Sequence, residues 1–118
     1  MNRMAALFLL LGLGAYVYAI EYRFDRTQDI VYKEIDGKKL KLNVFVPKGD
    51  GPFPAVLVVH GGAWRTGSRT QLTMYAKSLA RRGFSCFAIN YRLAPEHKSP
   101  AQIEDCRDAV RWIRRNAA

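Results

Sequence analysis

The sequence predicts an α/β fold: an antiparallel hairpin followed by strand, helix, strand and helix, with those last two strands parallel. Three observations carry this. "DIVYKEI" and "KLKLNVFV" alternate apolar and polar residues on either side of Asp36-Gly37, a tight-turn dipeptide. "AVLVV" and "FSCFAIN" are apolar without alternation, as strands buried on both faces are. A segment with helical periodicity follows each of them.

The first residues stand apart from this pattern. Met1-Asn2-Arg3 is a short positive start, and the 16 residues "MAALFLLLGLGAYVYA" carry no charge. Val17-Tyr18-Ala19 then offers small residues where a leader is cleaved, with Glu21 and Arg23 just beyond. Residues 1–19 are therefore expected to be a signal peptide, and residues 20–118 the folded domain. The apolar run is short of the ~20 residues a spanning helix needs. An uncleaved anchor touching the membrane through residues 4–19 is the alternative. The corresponding locations are secreted or periplasmic, or membrane-anchored. Gly12-Leu13-Gly14 is no dinucleotide fingerprint, because no strand precedes it and the third glycine is missing.

Residues 29–46 form the hairpin, and Pro47 to Pro54 a Gly/Pro loop leading into the first buried strand. Ser68 with Gln71 has the form of a capping box. Leu72, Tyr75, Ala76 and Leu79 then share a helical face, and Gly83 ends the helix. After the loop "YRLAPEHK" a second box, Ser99 with Gln102, opens the last helix, with Pro100 at its first position. Ile103, Cys106, Val110 and Ile113 make its inward stripe. Its acids Glu104, Asp105 and Asp108 come early and its arginines late, as the helix dipole favours.

Length and charge bound the function. A chain of 118 residues holds one small domain. Nineteen Lys and Arg against ten Asp and Glu give a net charge of +9. These cations are spread along the chain without interleaved aromatics, so nucleic acid is not the expected partner. An oxidising compartment would permit a Cys86–Cys106 bridge. Both cysteines sit among core-type neighbours, however, and buried thiols are expected. No metal site is expected, because His60 and His97 lie far along the chain from both cysteines.

"AVLVVHGGAWRTGS" ends a buried strand on His60-Gly61-Gly62-Ala63. Ligands of open α/β sheets sit just beyond the carboxyl ends of such strands. Adjacent glycines leave no side chain over their N–H groups, so two donors can aim at one point. A donor pair of that kind stabilises the oxygen that turns negative when a carbonyl is attacked. The plain alternative is that the glycines merely turn the chain.

"HGGAW" after an apolar strand, followed by "NYRLAPEHKSPAQIEDCRDAVRWI", resembles the N-terminal half of an α/β-hydrolase. The group it is similar to is the hormone-sensitive-lipase-like and acetyl-esterase-like carboxylesterases. The likeness covers residues 29 to 118, with both motifs in the family's order. It implies that Gly61 and Gly62, with Ala63, supply oxyanion-hole N–H groups. It also implies that His60 orders the loop, and that Trp64 and Arg65 lie near the mouth of the site. Packing under the loop is the alternative for Trp64. The implied substrate of a full-length form is a small-molecule ester, and no cofactor is implied.

The same family needs a nucleophile, an acid and a histidine later in the chain. None of Ser68, Ser78, Ser85 and Ser99 lies in Gly-x-Ser-x-Gly. Cys86 and Cys106 have no neighbouring base, and His97 falls where the family has a structural or site-lining segment. The reading is therefore the N-terminal fragment of a carboxylic-ester hydrolase, with the oxyanion loop, without the triad and inactive alone. The alternative is a non-catalytic binding or remnant protein. In the family's strand order "AVLVV" would be left as an apolar edge, so self-association or aggregation is expected of the isolated chain.

Overall fold

The computed structural model describes residues 3–9 and 16–116. Strands β1 (Arg3–Leu9) and β2 (Tyr16–Tyr22) pair antiparallel as a separate two-stranded sheet. Residues 10–15, the middle of the expected leader, lie outside the described residues. Beyond β2 come β3 (Phe24–Ile35), β4 (Lys38–Pro47), β5 (Ala55–Val59), α1 (Thr73–Arg81), β6 (Ser85–Ile89) and α2 (Ala101–Asn116). The four later strands form one sheet in the order β3-β4-β6-β5.

The β3–β4 hairpin turns at Asp36 (φ 50°) and Gly37 (φ 73°), the left-handed pair that a two-residue turn requires. β6 pairs antiparallel with β4 and parallel with β5, as the unbroken apolar runs of β5 and β6 predict. β5 is the sheet's outer strand, the apolar edge that the strand order leads one to expect.

Side-chain alternation sorts the core into two layers. Leu42, Val44 and Ile89 face Ala109 of α2, joined by Leu57 and Phe87. Phe45, Cys86, Ala88 and Val58 face Ala76 and Ala80 of α1. A one-residue register slip in any of these strands would exchange its two faces. α1 ends in a Schellman arrangement, with Phe84 N–H donating to the Leu79 carbonyl and Gly83 N–H to that of Ala80.

Several helix details differ from expectation. α1 begins after Leu72, which has no side-chain cap, and Ser68 Oγ bonds Thr70 Oγ1 at 2.8 Å instead of a helix amide. Tyr75 is 69% exposed, so the α1 inner face is Ala76 and Ala80, small residues that let the helix lie close to the sheet. The second capping box is also absent. The Gln102 side-chain amide donates to the carbonyls of Arg92 and His97. The α2 stripe is rotated: Ala101, Gln102, Asp105, Ala109 and Ile113 face inward, while Ile103 is 56% exposed. Cys106 and Val110 are half-buried at its margin. Both cysteines are free thiols, Cys86 buried and Cys106 half-buried.

The cause of the rotation is Asp105, which has no exposed surface. Its carboxylate accepts from the Arg92 backbone N–H at 2.8 Å, from Arg92 Nε and Nη2 at 2.9–3.1 Å, and from Lys33 Nζ at 2.7 Å. A buried carboxylate is costly unless so enclosed, and this bonding decides which helix face turns in. Burial alone would raise the Asp105 carboxyl, but the bonds from Arg92 and Lys33 outweigh it and hold it below the ordinary range.

Stability from such a group is present above its unfolded pKa and is lost as pH falls through the lower folded pKa. The domain should therefore lose stability on acidification below about pH 4, the ordinary range for Asp. Asp105→Asn, which leaves buried Arg92 with only the exposed Glu104 as an acidic partner at 3.4 Å, should cost about 3–5 kcal/mol. It should also flatten that acid slope. Urea unfolding of both chains across pH 3 to 7 checks both expectations.

Candidate functional site: the loop after β5

β5 delivers the chain to His60 at the carboxyl end of the sheet. The imidazole is 4% exposed and stacks on Tyr91, with ring centroids 4.3 Å apart and planes within 12°. The Tyr91 hydroxyl donates to the His60 carbonyl at 2.8 Å. His60 Nδ1 lies 2.8 Å from the Gly61 carbonyl. A carbonyl can only accept, so Nδ1 carries the proton. Ring, hydroxyl and carbonyl thus pin the first residues of the loop to the residue that follows β6 by two.

The loop then coils tightly. The Gly62 carbonyl accepts from the N–H groups of Arg65 (3.0 Å) and Thr66 (3.1 Å), and Ala94 N–H donates to the Trp64 carbonyl at 2.8 Å. Gly62 has φ 125°, and Ala63 and Trp64 have φ 51° and 60°, conformations that side chains rarely adopt. Gly62 and Gly67 must both be glycine for a second reason. A Cβ on Gly62 would stand 2.2 Å from the Thr66 carbonyl oxygen, and one on Gly67 2.4 Å from His60 Nδ1. Gly61 faces open space.

The N–H groups of Gly61, Gly62 and Ala63 donate to no partner among the described residues, whereas those of Arg65 and Thr66 are bonded within the loop. Gly61, Gly62 and Ala63 are all exposed. The loop's own bonds thus leave the N–H groups of Gly61, Gly62, Ala63 and Trp64 without a protein partner among the described residues.

Trp64 is 65% exposed. It stands between two hollows. One runs along β5 and α2, about 450 Å³, past Leu57, Val59, Ile103 and Val110. The other, about 500 Å³, includes Ala63, Arg65 and Ala94.

A polar cluster that the sequence did not reveal fastens the far end of the loop. Asn43, buried in β4, accepts through Oδ1 from Asp29 N–H and Arg69 Nε, both at 3.1 Å. Arg69 N–H donates to Asn90 Oδ1 at 2.7 Å, and its guanidinium pairs with Asp29. Arg92 is a second such residue. The acid in the Ala101–Asp105–Ala109–Ile113 row is the signal that could have disclosed its partner.

No nucleophile stands at this site among the described residues. Ser78 is engaged with Arg82, Ser85 opens β6 and is buried, and Ser99 lies in an exposed turn. Burial pushes the Cys86 thiol up to about 11, away from thiolate reactivity. His97 Nε2 lies 3.5 Å from Glu96, and no serine or cysteine is bonded to either histidine. Among the described residues no three His, Cys, Asp or Glu side chains converge as a metal site.

The loop geometry predicts a contrast among its three glycines. Gly61→Ala should leave stability within about 0.5 kcal/mol of the parent, as at an unconstrained surface position. Gly62→Ala and Gly67→Ala should each cost more than about 1 kcal/mol. Thermal unfolding of the three variants checks the order.

Comparison with known proteins agrees with the sheet. A family model, BD-FAE, matches residues 42–118. Esterase LipC of Mycobacterium tuberculosis is 43% identical over 67 residues, covering 55% of this chain and 16% of LipC. An arylesterase of Saccharolobus solfataricus is 33% identical over 95 residues, covering 77% of this chain and 30% of the arylesterase. The solved structure of Thermogutta terrifontis esterase 2 phosphorylated by paraoxon superposes with a TM-score of 0.69 at 30% identity. That match covers 80% of this chain and 37% of the esterase. The chain thus spans between a sixth and about a third of these relatives' lengths. It belongs to the BD-FAE family, within the hormone-sensitive-lipase-like α/β-hydrolase carboxylesterases, and carries the N-terminal portion of their fold.

Proposed function

We propose that residues 20–118 are the oxyanion-binding portion of a carboxylic-ester hydrolase, whose substrate in full-length form is a small-molecule ester. The observation that carries this reading is the run of unpartnered, exposed N–H groups on Gly61, Gly62 and Ala63 beside buried His60. Attack on an ester carbonyl places a full charge on its oxygen. Fixed donors answer that charge without reorganising, and one such donor is worth about 10²–10³ in kcat. In this reading His60 is a positioning residue: its stacking on Tyr91 sets where the following amides point. Trp64 borders the site and shields it from one side.

The relatives are named esterases, and this loop supports the same chemistry here, with nucleophile, acid and base supplied by further sequence. A non-catalytic binding or remnant protein is the second reading. It is favoured by where the chain's serines lie: Ser68 bonds Thr70, Ser78 bonds Arg82, Ser85 opens a strand and Ser99 lies in a turn. The leader-like pattern of residues 1–19 supports export to the periplasm or medium, with a membrane anchor as the alternative.

A short-chain chromogenic ester separates the readings. The 118-residue chain alone should give background rates. The product of the gene read through codons past 118, if these encode Gly-x-Ser-x-Gly, should turn the ester over and lose that activity when the motif serine becomes alanine. Turnover by the short chain itself would contradict the proposal.

A further inference from the structure

We propose that Asp29 and Arg69 are positioning residues for the glycine loop: a bulge in β3 carries Asp29 to Arg69, and this contact sets how Gly61 and Gly62 are held from the loop's far end. Its bearing on catalysis rests on the oxyanion reading; the geometry concerns the loop alone. The first observation is the bulge. β3 and β4 are in register at Thr27–Val44 and again at Ile30–Leu42, so Gln28 and Asp29 together face Asn43 alone. One extra residue in a strand re-aims its side chains, and such bulges gather beside functional sites. Asp29 has φ 60°, backbone that an aspartate tolerates better than most residues. β3 is an outer strand of the sheet, where a bulge also blunts the edge. Blunting needs no particular partner, and this bulge has defined ones.

The second observation is what the bulge meets. Asn43, 1% exposed, turns Oδ1 to the Asp29 N–H and to Arg69 Nε, both at 3.1 Å. The Arg69 guanidinium also pairs with Asp29, and the Arg69 N–H donates to Asn90 Oδ1 at 2.7 Å. Arg69 therefore touches β3, β4 and the residue after β6 at once. An exposed ion pair adds little stability, and the Asp29 side chain is 61% exposed. The contact contributes placement more than strength.

The third observation links Arg69 to the amides. Two residues before it, Gly67 lies close against the start of the loop. A Cβ there would stand 2.4 Å from His60 Nδ1 and 2.6 Å from the Gly61 carbonyl oxygen. One residue further back, Thr66 bonds the Gly62 carbonyl through both its N–H (3.1 Å) and its Oγ1 (3.3 Å). Thr66 and Gly67 thus lean on Gly61 and Gly62 directly, and Arg69 decides where they stand. Tyr91 fixes the loop's start through His60, while Asp29, far earlier in the chain, fixes its other end through Arg69.

The experiment compares the 118-residue chain with Arg69→Ala and with Asp29→Gly, which keeps the left-handed backbone and removes the carboxylate. Residual dipolar couplings of the Gly61, Gly62 and Ala63 N–H groups report where those bonds point. Both variants should change them, while the couplings of β6 and α2 stay as in the parent. Protection of the Arg65 and Thr66 amides against hydrogen exchange should fall at least about tenfold, with that of Phe87 and Ala88 in the central strand unchanged. The double variant should match Arg69→Ala alone, since both changes act through one contact. Asp29→Asn, which keeps an acceptor for Arg69, should restore most of the protection. Unaltered couplings at Gly61 to Ala63 in both single variants would overturn the proposal. So would a loss of protection spread evenly over sheet and loop, the mark of a contact that serves stability alone. Background ester turnover by the read-through product, with these loop effects intact, would instead sink the oxyanion reading and leave the positioning in place.

Discussion

The Asp105 carboxylate and the Arg92 guanidinium are the contact on which the rest of this domain depends. Arg92 leaves the end of β6, Asp105 sits on the first turns of α2, and the pair is closed from solvent with Lys33 of β3 as a third member. One carboxylate therefore ties the last helix to both the centre and the far edge of the sheet. Because Arg92 is held, Tyr91 is held. Because Tyr91 is held, its ring and hydroxyl fix His60 on the neighbouring strand end. The shape of the glycine loop is thus set by a salt bridge some thirty residues downstream in sequence.

That chain of contacts explains why the loop can carry strain. Ala63 and Trp64 both occupy left-handed backbone, at a cost of order 1–3 kcal/mol for each such residue. The conformation persists because both ends are anchored. His60 is clamped by Tyr91 at one end, and Arg69 is bonded to Asn43, Asn90 and Asp29 at the other. Between the anchors the carbonyl of Gly62 accepts from Arg65 and Thr66, and the amides of Gly61 to Trp64 have no protein partner among the described residues. Rigid anchoring with free donors is what a site needs if it is to meet charge without first rearranging.

Much of this was legible beforehand, for identifiable reasons. Alternation and its absence separated the hairpin from β5 and β6, because strand period and burial act on every residue. The glycines of residues 61 and 62 pointed to a backbone site, because side chains would cover the amides. The helix faces were less legible. Apolarity placed Ile103, Cys106 and Val110 inward, but one buried acid outweighed them, and no periodicity of apolar residues reports an ion pair. Tyr75 was misplaced for a related reason: the small Ala76 and Ala80, not the large ring, let α1 approach the sheet. Both capping boxes failed because Ser68 and Gln102 found other partners, Thr70 in one case and the carbonyls of Arg92 and His97 in the other. Arg69, Asn43 and Asn90 meet only in three dimensions.

The loop amides stay free because Tyr91 and Arg92 hold His60 in place. Residue-resolved amide hydrogen exchange of Gly61, Gly62 and Ala63, beside that of Arg65 and Thr66, tests it most directly. Near-unprotected exchange is expected at the first three and measurable protection at the last two. Tyr91→Ala is expected to abolish the difference. Protection of Gly61 and Gly62 comparable to that of Thr66 would contradict it.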